Sequence, residues 1–229
     1  MREIVLDTET TGLDPAGDHR VVEIGAVELI RHVPTGRHFH HYIDPERTMP
    51  AEALSVHGLT DSFLQDHPNF AGICDSLLEF LGDASLIMHN AAFDLAFLNA
   101  ELSRAGCPPL SASRVVDTLQ LARNRHPMAP NSLDALCRRY DIDIARREKH
   151  GALLDAQLLA EVYIELIGGK QPALVLSEIR RSDTAQRIDS GPARPRPNPL
   201  PSRITDSEKR AHEMFIATLG ARSLWLHPG

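Results

Sequence analysis

Apolar positions in the first part of the chain fall in short runs rich in β-branched side chains, with turn-forming residues between them. Ile4 to Leu6, Val21 to Leu29 and Arg37 to Ile43 have strand composition, and Gly12, Pro15, Gly17 and Pro34-Thr35-Gly36 separate them. Three successive strands with short connections predict an antiparallel start. The hydrophobic period then lengthens. Phe70 to Leu81 reads as a helix, Ser85 to Met88 as a short buried strand, and Ala92 to Ala105 as a helix stopped by Gly106. Asn131 or Ser132 can cap a helix running through Tyr140. Leu153, Leu154, Leu158, Val162 and Leu166 then recur at helical spacing before Gly168-Gly169. These elements predict an α/β fold over residues 1–170, a mixed sheet flanked by helices.

Beyond residue 170 the composition shifts. Prolines at 192, 195, 197, 199 and 201 alternate with arginines, which predicts a flexible linker. Helical spacing returns over 205–221, with Thr205 or Ser207 as a cap, and Leu224, Trp225 and Leu226 form a terminal apolar cluster. A segment this short cannot bury a core of its own, so it must dock on the main domain or on a partner. The whole chain of 229 residues, 42% hydrophobic, supports one substantial core. The three cysteines, Cys74, Cys107 and Cys137, are widely spaced without a CxxC pair, which points to neither a disulfide framework nor a cysteine zinc site. No apolar run is long enough to cross a bilayer, and the N-terminus enters a strand pattern at once. The expectation is a soluble, unprocessed cytoplasmic protein.

Charge changes the picture in one respect. The formal net charge is -7, and residues 1 to 171 hold 15 bases against 25 acids. That sign opposes binding of nucleic acid by bulk electrostatics. An acidic domain can still take a phosphodiester if some of its carboxylates hold divalent cations that reverse the local field.

The candidate chemistry begins at Asp7-Thr8-Glu9-Thr10-Thr11-Gly12, where an apolar strand ends. Residues i and i+2 of a strand share a face, so the carboxylates of Asp7 and Glu9 stand side by side. Adjacent negative charges repel unless a cation lies between them, and hard ions such as Mg2+ or Mn2+ suit carboxylate oxygen. A second acid, Asp94, follows Asn90-Ala91-Ala92-Phe93 where a strand passes into a helix. A third element is His150-Gly151-Ala152-Leu153-Leu154-Asp155, with a histidine in the approach to a helix and an aspartate inside it. Singly, each has an ordinary explanation: a solvated strand end, a helix-dipole acid, a surface histidine.

Together they run in the order DxE, D, HxxxxD, and this order resembles that of the DEDDh exonucleases. The segments Val5 to Gly12, Val56 to Thr60, His89 to Asp94, Asn131 to Cys137 and His150 to Ala156 are similar in particular to the proofreading branch that serves bacterial replicative DNA polymerase III. The resemblance spans roughly residues 2 to 170. It implies a ribonuclease-H-like fold and 3′-5′ hydrolysis of DNA through two divalent ions, Mg2+ or Mn2+, that release 5′-mononucleotides. It implies that Asp7, Glu9, Asp94 and Asp155 hold the ions and that His150 is the general base. Asp7, Glu9, Thr10, Thr11, Glu52, His57 and Asp155 would meet the substrate, a single-stranded or frayed 3′ end.

The resemblance also implies partners. Gln171-Pro172-Ala173-Leu174-Val175-Leu176 is similar to a bacterial sliding-clamp peptide, with Gln171, Leu174 and Leu176 as anchors and no aromatic one, which leaves linker residues as the other reading. Residues 177–204 would be the Pro/Arg-rich linker, and 205–229 would bind the polymerase catalytic (alpha) subunit, placing the protein with the replication machinery at the nucleoid. Two other readings stay open on the sequence: an RNA-trimming 3′ exoribonuclease with the same catalytic set, and a non-catalytic adaptor between clamp and polymerase.

Overall fold

The computed structural model describes residues 1–145, 149–168 and 204–219. The clamp-like peptide at 171–176, nearly all of the linker, and Leu224, Trp225 and Leu226 lie outside the described residues. The chain divides into two compact units, residues 1–174 and 175–229.

The first unit opens with three antiparallel strands, β1 (Arg2–Thr10), β2 (Val21–Ile30) and β3 (Val33–Tyr42). Two short helices, α1 (Ala51–His57) and α2 (Asp61–Leu64), precede α3 (Phe70–Leu81), β4 (Ser85–Met88) and α4 (Ala91–Arg104). Then come β5 (Val115–Asp117), α5 (Thr118–Arg125), α6 (Leu133–Arg139) and α7 (Ala152–Leu166). The sheet order is β3-β2-β1-β4-β5, with β4 parallel to β1 and β5 parallel to β4. This is the mixed sheet flanked by helices that the pattern predicts.

Strand alternation assigns the two layers. Ile4, Leu6, Ile24 and Ala26 face α3 and α4, meeting Phe70, Ile73, Leu77, Phe97 and Leu98. Val5, Leu29 and Ile87 face the other way, onto Leu159, Ala160 and Tyr163 of α7. A second side of α7, with Leu158, Val162 and Leu166, packs on Ala122, Leu136 and Cys137 of α5 and α6. Enclosure by sheet and helices explains why apolar residues surround α7 instead of forming one stripe.

Two readings need correction. The β2–β3 turn lies at Arg31–His32, both at positive φ (52° and 66°), and Pro34-Thr35-Gly36 sits within β3. Such a tight hairpin turn normally favours Asn or Gly. Here buried Glu3 holds it: its Oε2 accepts the His32 amide at 3.2 Å and lies 2.9 Å from His32 Nδ1. Second, α1, α2, β5 and α5 were not predicted. β5 has three residues, and Asp117 caps α5 through the Leu119 amide, a signal hidden by the strand before it. The sulfurs of Cys74 and Cys107, 33 residues apart, also come together where α3 meets the chain after α4, with Cα atoms 7.5 Å apart, wider than a disulfide spans.

In the second unit, α8 (Asp206–Thr218) is capped by Thr205, one of the two residues the sequence offered, in a capping box with Glu208. Thr205 Oγ1 accepts the Glu208 amide, and the Thr205 amide donates to Glu208 Oε2 at 2.7 Å. Met214 and Phe215 are exposed on it. Among the described residues no helix is long and apolar enough to cross a membrane.

One position controls how the α7 layer meets the sheet. A Cβ at Gly25 would overlap the Ala152 carbonyl and the Leu153 amide, so only glycine lets the start of α7 lie on β2. Gly25→Ala is expected to lower unfolding free energy in urea by about 1–3 kcal/mol, as overpacking does. A loss below about 0.5 kcal/mol would show that the contact yields freely.

Candidate active site

Asp7 and Glu9 stand on the α7 face of β1, at its C-terminal end. Across the β1–β2 ladder Asp7 is opposite Gly25 and Glu9 is opposite Glu23. The pairing slips between Glu9 and Thr10, a bulge that bends the strand where its carboxylates emerge. Because Gly25 admits the start of α7, the first turn of that helix brings buried Asp155 to the same place. Ligand atoms of Glu9, His150 and Asp155 all lie within 4.8 Å of one another. His150 Nδ1 is 3.3 Å from Asp155 Oδ2, and about half of the His150 side chain is exposed. The loop carrying His150 rests on α1, with the His150 amide donating to the Val56 carbonyl.

Asp94 arrives from the other layer. Thr8, between the two β1 acids but pointing the opposite way, donates its hydroxyl to Asp94 Oδ1 at 2.7 Å. The carboxyl is 4% exposed. Burial pushes it up to about 7, the Thr8 hydrogen bond opposes that rise, and the charge of Asp117 adds to it. Asp117 also fixes the start of α4: its Oδ1 accepts the amides of Asn90 at 3.1 Å and of Leu119 at 2.9 Å.

Beside the carboxylates opens a pocket of about 610 Å³ whose walls include Glu9, Thr10, Thr11, Glu52, His57 and Phe93. His57 is buried, and its Nδ1 accepts the Leu59 amide at 3.0 Å. Burial lowers its pKa, against the pull of Glu23 and the Thr10 backbone, which favours the neutral ring. With Nδ1 accepting, the proton of that ring belongs on Nε2, which is buried and has no satisfied hydrogen bond among the described residues. Thr10 closes the turn by donating to the Gly12 carbonyl at 2.6 Å. The Thr11 amide donates to the Arg20 carbonyl at 2.9 Å and its hydroxyl accepts the Arg20 amide at 3.0 Å. Thr11 therefore holds the loop and does not turn its amide toward a ligand. Glu52 is exposed in the first turn of α1.

Gln171, Leu174 and Leu176 fall outside the described residues. The sequence reading missed Thr8, Glu23 and Asp117. Glu23 is buried on the α7 face and its Oε1 lies 2.7 Å from His40 Nε2. A lone acid in the apolar run Val21-Val22-Glu23-Ile24-Gly25 was the available signal.

The donor set of carboxylate oxygens with one imidazole fits a hard divalent cation. The protein-family model described as Exonuclease matches residues 4–163. The chain belongs to the exonuclease family. Its order of acids and histidine is that of the DEDDh branch, whose members depend on divalent metal. Among similar proteins, DNA polymerase III subunit epsilon of Rickettsia felis is 55% identical over 176 residues, covering 76% of this chain and 77% of the relative. The subunit of the same name from Escherichia coli K12 is 47% identical over 176 residues, covering 74% and 72%. In fold, the exonuclease is similar to the DEDDh nuclease domain of 3′hExo bound to rAMP, with TM-score 0.62, 18% identity and coverage of 72% and 91%. It also resembles exonuclease X in complex with 5′ overhanging duplex DNA, with TM-score 0.56, 24% identity and coverage of 72% and 90%.

The burial of Asp94 yields a test in the metal-free exonuclease. Its folded pKa stands above the unfolded value, so folding takes up a proton between the two, and stability falls as pH rises from about 4 to about 7. Asp94→Asn in chelator is expected to be more stable than the parent at pH 8 and to lose most of that advantage at pH 4, read by urea unfolding. Equal stability at pH 8 would mean that the buried carboxylate carries no penalty.

Proposed function

We propose that this exonuclease removes nucleotides from DNA 3′ ends as the proofreading subunit of a replicative polymerase. The observation that carries this reading is the convergence of Glu9, His150 and Asp155 in a chain 55% identical to a DNA polymerase III epsilon subunit. Asp7, Glu9, Asp94 and Asp155 would hold two divalent ions, Mg2+ or Mn2+. Bound there, the ions would neutralise charge developing on the phosphoryl group and the leaving oxygen.

The chain's own groups do the positioning. Asp155 Oδ2 beside His150 Nδ1 orients the ring so that Nε2 can take a proton from the attacking water. The half-exposed His150 can exchange that proton with solvent. The pocket walled by Thr10, Glu52 and His57 takes the terminal nucleotide, with His57 Nε2 offering a proton to a sugar or phosphate oxygen. None of these contacts reads a base edge, so preference for a mispair follows from easier fraying of the end. Attack by water on the phosphorus releases a 5′-mononucleotide.

Residues 205–229 would tether the exonuclease to the polymerase catalytic subunit, and the Gln171 to Leu176 peptide would touch the sliding clamp. Tethering raises the local concentration of primer ends and offsets the unfavourable charge of the domain. A site in the cytoplasm, at the replication machinery, follows from this role.

Purified protein incubated with matched primer, mispaired primer and RNA is expected to degrade DNA in Mg2+, the mispaired end faster, and to stop in chelator. Asp7→Ala should abolish activity, and His150→Ala should lower kcat by about 10²–10⁴-fold. Cleavage of RNA alone would instead identify a trimming exoribonuclease, and an inactive parent protein would identify an adaptor.

A further inference from the structure

The carboxylates Asp7 and Glu9 stand on β1, the middle strand of the sheet. The terminal-nucleotide pocket is bounded by α1, whose Ala53 and Leu54 pack with Val22 and Tyr42, on the β2 and β3 side. A strand whose last nucleotide fills that pocket must carry its scissile phosphate across β1. It therefore leaves toward β4 and β5.

On that side lies a second groove of about 390 Å³, lined by Leu119, Arg123, Pro127, Met128, Asn131 and Ser132 among others. The Nδ1 atom of His89 is 2.9 Å from Thr118 Oγ1, and the ring lies close enough to Asp117, Arg123 and the Asn131 backbone to feel all three. Asp117 in turn bears on Asp94. Asp117 is the link from groove to cleft: its Oδ1 accepts the amide of Leu119, which lines the groove, and that of Asn90, which opens the helix carrying Asp94.

The groove is built rather than loose. Asn131 Nδ2 donates to the His126 and Ala129 carbonyls, at 3.2 and 2.9 Å, and so holds the loop in which Met128 adopts φ 66°. No acid lines it. Two nearby arginines are engaged: Arg125 donates to the Glu165 and Leu166 carbonyls and Arg139 to Pro130. Arg123 is exposed and makes no ion pair or hydrogen bond among the described residues. In a domain with 25 acids against 15 bases through residue 171, an acid-free groove with an unengaged guanidinium is fitted to a phosphodiester backbone.

We propose that this groove carries the DNA strand on the 5′ side of the scissile phosphate, with Arg123 on a backbone phosphate. The Ser132 hydroxyl stands beside that phosphate, and the fully exposed Met128 offers an apolar surface to a base. The inference rests on the exonuclease reading above.

Two substrates separate them. The p-nitrophenyl ester of thymidine 5′-monophosphate fills only the terminal pocket, whereas a long single-stranded oligodeoxynucleotide also fills the groove. Arg123→Ala is expected to raise KM for the oligonucleotide about five- to tenfold and to lower its salt slope by about one, with kcat kept. Ester hydrolysis should stay unchanged, Arg123→Lys should restore part of the loss, and Arg123→Glu should enlarge it. An unchanged oligonucleotide KM and salt slope would overturn the proposal while leaving the exonuclease intact. So would an equal loss on ester and oligonucleotide, which would mean that Arg123 acts through the fold. A parent protein that hydrolyses neither substrate would overturn the exonuclease reading, and this proposal with it.

Discussion

Asp7, Glu9, Asp94 and Asp155 bring carboxylates to one end of a sheet whose interior is dry, and like charges so placed repel one another unless a cation intervenes. Burial raises the penalty, as the upward displacement of Asp94 to about 7 shows. A fold selected for stability alone has no reason to keep such a cluster. The surrounding parts make sense as devices that hold the acids in spite of their repulsion. Thr8 gives Asp94 a hydroxyl from the face opposite to Asp7 and Glu9. Gly25 yields its side-chain space so that α7 can present Asp155. The bulge after Glu9 turns β1 away from the ladder.

The same electrostatics govern how an acidic domain approaches DNA. Bulk charge repels the polymer, so attraction has to be local: a cation among the carboxylates, and unengaged basic groups where the strand runs. His57 belongs to a different class of contact. Burial favours its neutral ring, and its Nε2 would offer a donor to the pocket without adding formal charge. Glu23, 2.7 Å from His40 Nε2, continues the polar row from Glu9 toward the edge of the sheet.

Much of this was legible in the sequence because its signals are local. A strand end fixes the shared face of Asp7 and Glu9, and a helix start fixes the place of Asp155 after His150. The helical spacing of apolar residues gave α3, α4 and α7 with bounds within a residue or two. What escaped was decided at a distance. The β2–β3 turn sits where buried Glu3 holds His32, although Pro34-Thr35-Gly36 looked better suited to turn. Thr11 lines the pocket, but the engagement of its amide by the Arg20 carbonyl, nine positions on, is a contact that no local pattern announces. Asp117, in a three-residue strand, acts on Asn90 across the sheet, and no periodicity could have joined the two.

The convergence of the carboxylates on metal is tested most directly by calorimetric titration of the metal-free protein with Mn2+. Saturable binding of two ions per chain is expected, with one or both sites lost in Asp7→Ala and in Asp155→Ala while the folded state persists. Absence of binding by the parent protein, or uptake unaltered by either substitution, would contradict it.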